Sequence, residues 1–193
     1  MLAELTAPRA LAPLYGTSWR IWVTIIAGTM AAMALGYFLA ARLRPEQITP
    51  RKLARLLFAA AVLSVPAAFC VVPLGSLFEP TPLPLDQISS IDDGFGACLI
   101  VVALLFMPAA ACLAAAAPLC ARLLEVAGKD SGSAAGQVLC AGTLGSILGT
   151  LAPVHWLLDG VGVRMTLLAG ASMPLIAALF LQLAAQSPLS RKA

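Results

Sequence analysis

Charged residues are so rare in this chain that long stretches contain none. Five charge-free stretches are each long enough to cross about 30 Å of hydrocarbon, which takes about 20 residues of α-helix. They cover approximately residues 21–41, 56–78, 94–121, 131–158 and 165–190. Blocks such as VVALLFMPAAACLAAAAPLC are apolar on every side, whereas membrane β-strands alternate apolar and polar residues. The sequence therefore predicts an all-α fold: a polytopic transmembrane helical bundle with five full spans.

The composition excludes the soluble classes of protein. Of the 193 residues, 61% are hydrophobic and 11% are charged, whereas a soluble domain carries about 25% charged residues. Secreted disulfide scaffolds, nucleic-acid-binding domains and disordered chains are therefore excluded as primary interpretations. The net charge of +3 is too small to define a partner. We predict that the lipid bilayer surrounds most of the chain and that the protein has no nucleic-acid partner.

The positions of Lys and Arg predict the orientation, because basic loops remain in the cytoplasm. Nine of the twelve basic residues fall in the loop after span one, the loop after span three and the C-terminal tail. Six of the nine acidic residues fall on the other side. We expect a bacterial cytoplasmic (inner) membrane protein with its N-terminus outside and its C-terminus inside. Residues 19–190 would form one transmembrane domain, and residues 191–193 a cytoplasmic tail.

Residues 1–18 do not fit the count of spans. The segment is too short to cross a membrane and is interrupted by Pro8 and Pro13. Two interpretations stay open: an interfacial or re-entrant segment on the outer face, or a partial helix that begins upstream of Met1. Glu4 and Arg9 form a candidate ion pair at the outer face in either case.

Small residues predict how the helices pack. Helices in a bilayer associate through close backbone approach and interhelical hydrogen bonds. Span four has a dense stripe of small residues, and span one has a weaker one. We expect span four to be the most buried helix. The predicted helix-packing residues are Gly28, Gly36, Gly142, Gly145 and Gly149.

The sequence contains no recognisable catalytic or cofactor-binding set. Its single histidine, His155, precedes Asp159 by one helical turn, and with Arg164 these residues are candidate polar groups at the outer mouth. The Gly160–Gly162 pair does not open a dinucleotide loop, because Met165 stands where the third glycine would be. We therefore expect no enzyme activity, no cofactor and no metal site.

Two segments carry a family resemblance. SGSAAGQVLCAGTLGSILGT (Ser131–Thr150), followed by LLDGVGVRMTLL (Leu157–Leu168), resembles the end of the membrane region of the bacterial fused MFS/spermidine-synthase-like proteins. There a G-x-x-A-G segment runs into T-x-G-S-x-x-G-T. The segments ELTAPRALAPLYGTS and ALGYFLAARL are similar to the beginning of the same region. The resemblance covers nearly the whole chain.

The resemblance implies the membrane half of a split or reduced member of this family. Members usually begin with a complete helix carrying the Glu and Arg that are here Glu4 and Arg9. Many also continue into a soluble aminopropyltransferase-like domain. The residues for aminopropyl transfer are not in this sequence, so that activity is not implied. A soluble synthase-like protein is an implied partner.

Two functions stay open at this point. The first is transport of a small polyamine-like or other organic solute, which prolines inside the spans and acidic residues on the outer side favour. Its weakness is that none of the five spans carries a deep charge, although such groups usually mark solute pathways. The second is an accessory or anchoring subunit of a larger membrane complex, with other membrane helices as partners in a homo- or hetero-oligomer.

Overall fold

The computed structural model describes residues 2–15, 19–77 and 93–186. Every regular element in these ranges is helical, which confirms the all-α prediction. The predicted tail at 191–193 and the loop at 78–92 lie outside the described residues. The helices are α1 (Leu2–Tyr15), α2 (Trp19–Ala41), α3 (Pro50–Leu77), α4 (Asp93–Leu105), α5 (Met107–Val126), α6 (Ser131–Ala152) and α7 (Leu158–Gln186).

Four helical stretches are long and apolar enough to cross a membrane, in agreement with a multi-pass protein. They are Ile21–Ala41, Pro50–Leu77, Met107–Val126 and Ser131–Ala184. The last contains 54 residues, about 80 Å of helix at 1.5 Å per residue, which is more than twice the thickness of the hydrocarbon. It is kinked at Gly162, where φ is 80° and ψ is 174°. A π-helical turn at Pro153–Leu157 precedes the kink.

The predicted third span contains a break between α4 and α5 at Phe106. Pro108 causes it, because a proline near a helix start has no N–H to donate and restricts the residue before it. Hydrogen bonds continue across the break: Phe106 N donates to Val102 O at 3.0 Å, and Ala110 N donates to Phe106 O at 3.1 Å. The two helices therefore follow one another along the bundle.

Two clusters of buried side chains mark the two ends of the bundle. We call one the basic end, because Arg122 Nη1 there donates to Leu43 O at 3.1 Å. Its core consists of Ala40, Ile48, Leu53, Ala115 and Leu119, with Leu181 packed against it. We call the other the tyrosine end, because Tyr15 Oη donates to Gly75 O at 3.4 Å there. Its core includes Leu11, Ile25, Val71, Val101 and Leu167.

Helix α1 packs inside the bundle, against α2, α3 and α7. Thr6, Ala7 and Leu11 are fully buried. Ala7 and Leu11 are four residues apart and therefore share one face of the helix. The segment therefore packs among other helices and does not lie flat on the end of the bundle.

Helix α6 is not the most buried helix, so that prediction is wrong. Ala134 is its one buried residue, whereas α3 buries eight. The helix contacts α5 and, more lightly, α1. Small residues permit close approach of another helix but do not determine which helix packs against them. In this chain most of the surface of the small residues of α6 remains exposed.

Candidate functional site

A cavity of about 390 Å³ lies between the two cores of the bundle. Its walls come from α1, α2, α3, α4, α5, α6 and α7. Ile25, Leu105, Phe106 and Leu167 belong to the tyrosine-end core and line one side of it. The volume falls in the range of small-molecule sites, about 300–1,000 Å³.

Among the residues that the structure describes, Glu4 is the one charged residue that lines this cavity. It precedes Ala7 by three residues and Leu11 by seven, so all three lie on the face of α1 that turns into the bundle. Glu4 is half-buried. The rest of the lining is mainly apolar, so the carboxyl group lies at the edge of a largely apolar space.

Helix geometry places Glu4 deep in the bundle. Glu4 lies eleven residues before Tyr15, and Ser64 lies eleven residues before Gly75. Tyr15 and Gly75 are hydrogen-bonded, so α1 and α3 are level at the tyrosine end. Glu4 and Ser64 both line the cavity, so the two helices reach the cavity at the same depth. Eleven residues of helix measure about 16 Å, roughly half the thickness of the hydrocarbon.

The hydroxyl groups of two cavity-lining residues donate to their own helices. Thr29 Oγ1 donates to Ile25 O at 2.9 Å, and Ser64 Oγ donates to Ala60 O at 2.7 Å. A hydroxyl group has one proton and two lone pairs. Because its proton is used in a hydrogen bond within the helix, each of these hydroxyl oxygens can still accept a hydrogen bond but cannot donate a second one.

Arg9 lies away from Glu4 and forms an ion pair with Asp159, at 3.6 Å between Nη1 and Oδ1. Residues five apart on a helix are separated by about 140° around its axis. That separation explains why Arg9 is exposed and meets α7 while Glu4 turns inward. The predicted outer-face pair is thus replaced, at Arg9, by a pair with Asp159.

The predicted polar residues of the mouth lie on both sides of the kink that joins α6 and α7. His155 is in the π-helical turn, and its ring centroid is 6.0 Å from that of Trp156. Asp159 is in the first turn of α7 and pairs with Arg9. Arg164 is exposed two residues beyond Gly162. These side chains are on the surface and do not line the cavity.

The predicted packing glycines fall into two groups. A Cβ atom at Gly36 would overlap the carbonyl oxygen of Ala111, and one at Gly28 would lie 3.1 Å from Val102 Cγ1. Both glycines therefore hold α2 close to the α4–α5 span. A Cβ at Gly142 or Gly145 would meet no atom within 4 Å. Gly149 is half-buried.

Sequence reasoning missed the depth of Glu4. The available signal was the spacing that puts Glu4, Ala7 and Leu11 on one helical face. Pro8 and Pro13 obscured this signal, because prolines normally interrupt helices.

Within the described residues, no group of three His, Cys, Asp or Glu side chains is placed to hold a metal ion.

The chain was compared with protein families, curated proteins and solved structures. No protein-family model matches the chain, and neither a curated protein nor a solved structure does.

Proposed function

We propose that the protein is a five-span protein of the bacterial cytoplasmic membrane, with the start of span one outside and the C-terminus inside. The kink at Gly162 supports five spans, because it divides the helical stretch Ser131–Ala184, which is too long for one crossing, into two segments. The excess of Lys and Arg at the basic end supports the orientation. The tyrosine end then faces outward.

We further propose that the protein binds a small organic solute in the central cavity and moves it across the membrane. The observation that carries this proposal is Glu4 on the wall of a cavity at mid-depth. Ionisable groups inside membrane proteins are energetically unfavourable and are associated with solute and ion pathways. The resemblance to the membrane region of fused MFS/spermidine-synthase-like proteins supports the same class of function.

Flux into liposomes tests this proposal. Purified full-length protein is reconstituted, and uptake of a panel of small amines is compared with uptake by empty liposomes. We expect saturable flux that Glu4→Gln lowers at least tenfold. Glu46→Gln is the matched control, because Glu46 is exposed in the 3₁₀ turn Pro45–Gln47 and lies outside the cavity. Absence of saturable flux for every amine would contradict transport.

A second candidate function is that of an accessory or anchoring subunit with no transport or catalysis of its own. The exposed face of α6 favours it, because a Cβ atom at Gly145 would meet no atom of this chain within 4 Å. Small-residue faces of this kind pack against other membrane helices. Such a partner is another membrane protein or a second copy; the family resemblance also supports a soluble synthase-like partner.

Purification in a mild detergent tests this candidate. A subunit should elute with partner chains, and Gly145→Leu should remove them by obstructing the face of α6. Gly160→Leu serves as the control, because Gly160 lies outside α6, near the start of α7. A monodisperse monomer that already shows saturable flux would argue against the accessory function.

A further inference from the structure

We propose that the central cavity opens sideways into the bilayer, between α1, α5 and α6, and that its solute is an amphiphile with one apolar chain that enters from the hydrocarbon. This inference rests on the proposed function, because it names the class of solute for the same site and the route by which that solute arrives. Three observations support it: which residues border the opening, how deep they lie, and what lines the cavity.

One side of the cavity is bordered by residues that are also exposed. Within the described part of the chain these include Ala3 in α1, Leu113 in α5 and Gly142 in α6. Because α6 packs on both α5 and α1, the three residues border the same side. A Cβ atom at Gly142 would meet no atom within 4 Å, so α6 stands away from its neighbours at this point. The opening therefore lies between α6 and the other two helices.

The opening lies at the depth of the hydrocarbon. Leu113 follows Phe106 of the tyrosine-end core by seven residues and precedes Leu119 of the basic-end core by six. Gly142 lies eleven residues after Ser131, where α6 begins, and eleven residues of helix measure about 16 Å. The hydrocarbon is about 30 Å thick. A molecule that passes between α5 and α6 at this depth therefore comes from the lipid.

The wall of the cavity suits an apolar chain. Most of the lining is alanine or a larger apolar residue, and Ile25, Leu105, Phe106 and Leu167 join it to the tyrosine-end core. At roughly 30 Å³ for each water-sized group, the volume of about 390 Å³ holds about a dozen non-hydrogen atoms. The cavity therefore matches the length of a medium alkyl chain.

The polar groups of the wall do not require one kind of head group. Thr29 and Ser64 donate to carbonyl groups of their own helices, and Glu4 has an interaction of its own within the protein. Tyr37 and Ser146 also line the cavity, and a hydroxyl group can both donate and accept a hydrogen bond. The apolar chain is therefore the part of the solute that the wall selects.

Photolabelling of the full-length protein in phosphatidylcholine nanodiscs tests the site and the route. The probe is dodecylamine with a diazirine at the end of its chain. We expect saturable labelling of residues that line the cavity, located by mass spectrometry. Gly142→Phe, whose ring obstructs the opening, should lower this labelling at least fivefold. Gly136→Phe is the matched control, because Gly136 is also exposed in α6, has no atom within 4 Å of its Cβ position and does not line the cavity.

Competition by unlabelled alkylamines distinguishes an open cavity from a closed one. Butylamine, dodecylamine and hexadecylamine share one head group and differ only in apolar length. At equal concentration in the membrane, dodecylamine should compete at least tenfold better than butylamine, because butylamine leaves much of the wall without contacts. Hexadecylamine should match dodecylamine within about twofold, because the part of its chain that does not fit remains in the lipid. A loss of at least tenfold for hexadecylamine would mean that the cavity is closed on this side.

The outcomes separate this inference from the function on which it rests. Saturable amine flux, with cavity labelling that Gly142→Phe leaves unchanged, would overturn the lateral opening and leave transport standing. Cavity labelling with the expected dependence on length, but without flux of any amine, would support the opening and contradict transport. Stronger labelling by a phosphatidylcholine with the same diazirine would assign the cavity to a bilayer lipid and overturn the solute. The competition series uses the unmodified protein and decides even if Gly142→Phe does not fold.

Discussion

At the scale of single residues, glycine positions that look alike in the sequence differ in what surrounds them. We expect Gly36→Ala to lower the stability of the protein by about 1–3 kcal/mol, because the added methyl group forces α2 and α5 apart. At Gly36 a Cβ atom would overlap the Ala111 carbonyl oxygen. Thermal unfolding in one detergent, followed by the reactivity of buried cysteines, measures the change.

Gly142→Ala is the matched control for that substitution. Gly142 is also inside an apolar helix, but nothing lies within 4 Å of its Cβ position. Alanine is favoured over glycine in a helix by about 0.5–1 kcal/mol, so this variant should be unchanged or slightly more stable. Equal destabilisation of both variants would contradict the packing described for α2 and α5.

The ion pair between Arg9 and Asp159 should contribute little to stability. Their side chains are 53% and 79% exposed, and exposed ion pairs contribute below about 1 kcal/mol. A double-mutant cycle with Arg9→Ala and Asp159→Ala should therefore give a coupling energy below about 1 kcal/mol. The yield of membrane-inserted protein should change little in Arg9→Ala. A large loss of yield would mean that Arg9 has a structural role beyond this pair.

At the scale of elements, the connection between α6 and α7 depends on Gly162. Its φ of 80° with ψ of 174° lies in a region that glycine alone occupies readily. We expect Gly162→Ala to destabilise the fold by about 1–3 kcal/mol. Thermal unfolding again provides the measurement. Gly160→Ala, two residues earlier and without a positive φ, should have a much smaller effect.

The elements also show how far the sequence could predict the fold. The all-helical class and the presence of several long apolar helices followed from the charge-free stretches, because an apolar helix satisfies its own backbone hydrogen bonds in lipid. The break at Phe106 and the inward position of α1 did not follow. Both involve prolines, and a proline's local effect on a helix does not reveal how neighbouring helices pack around it.

At the scale of the whole molecule, orientation follows from the basic end. A fluorescent protein fused after Ala193 should fluoresce in the cytoplasm, and alkaline phosphatase fused there should be inactive. The excess of Lys and Arg holds the basic end inside. Active phosphatase at the C-terminus would contradict this orientation.

The candidate site was only partly predictable. Glu4, Arg9 and Asp159 stood out in the sequence as sparse charged residues, but their partners did not. Glu4 is separated from Arg9 by about 140° around α1, and Arg9 reaches a residue 150 positions away in the chain. Seven helices contribute residues to the cavity wall, and no local sequence pattern specifies how they are arranged around it.

The scarcity of charge was enough to determine that this chain is helical and suited to lipid, since each long apolar helix is a local solution to the loss of water. The arrangement of the helices decided everything specific: which glycines form contacts, which helix stays uncovered, and how deep Glu4 lies. The physical reason is that packing in a bilayer depends on close shape complementarity between distant segments. All these helices are hydrophobic, so hydrophobicity alone does not determine which helices pack together.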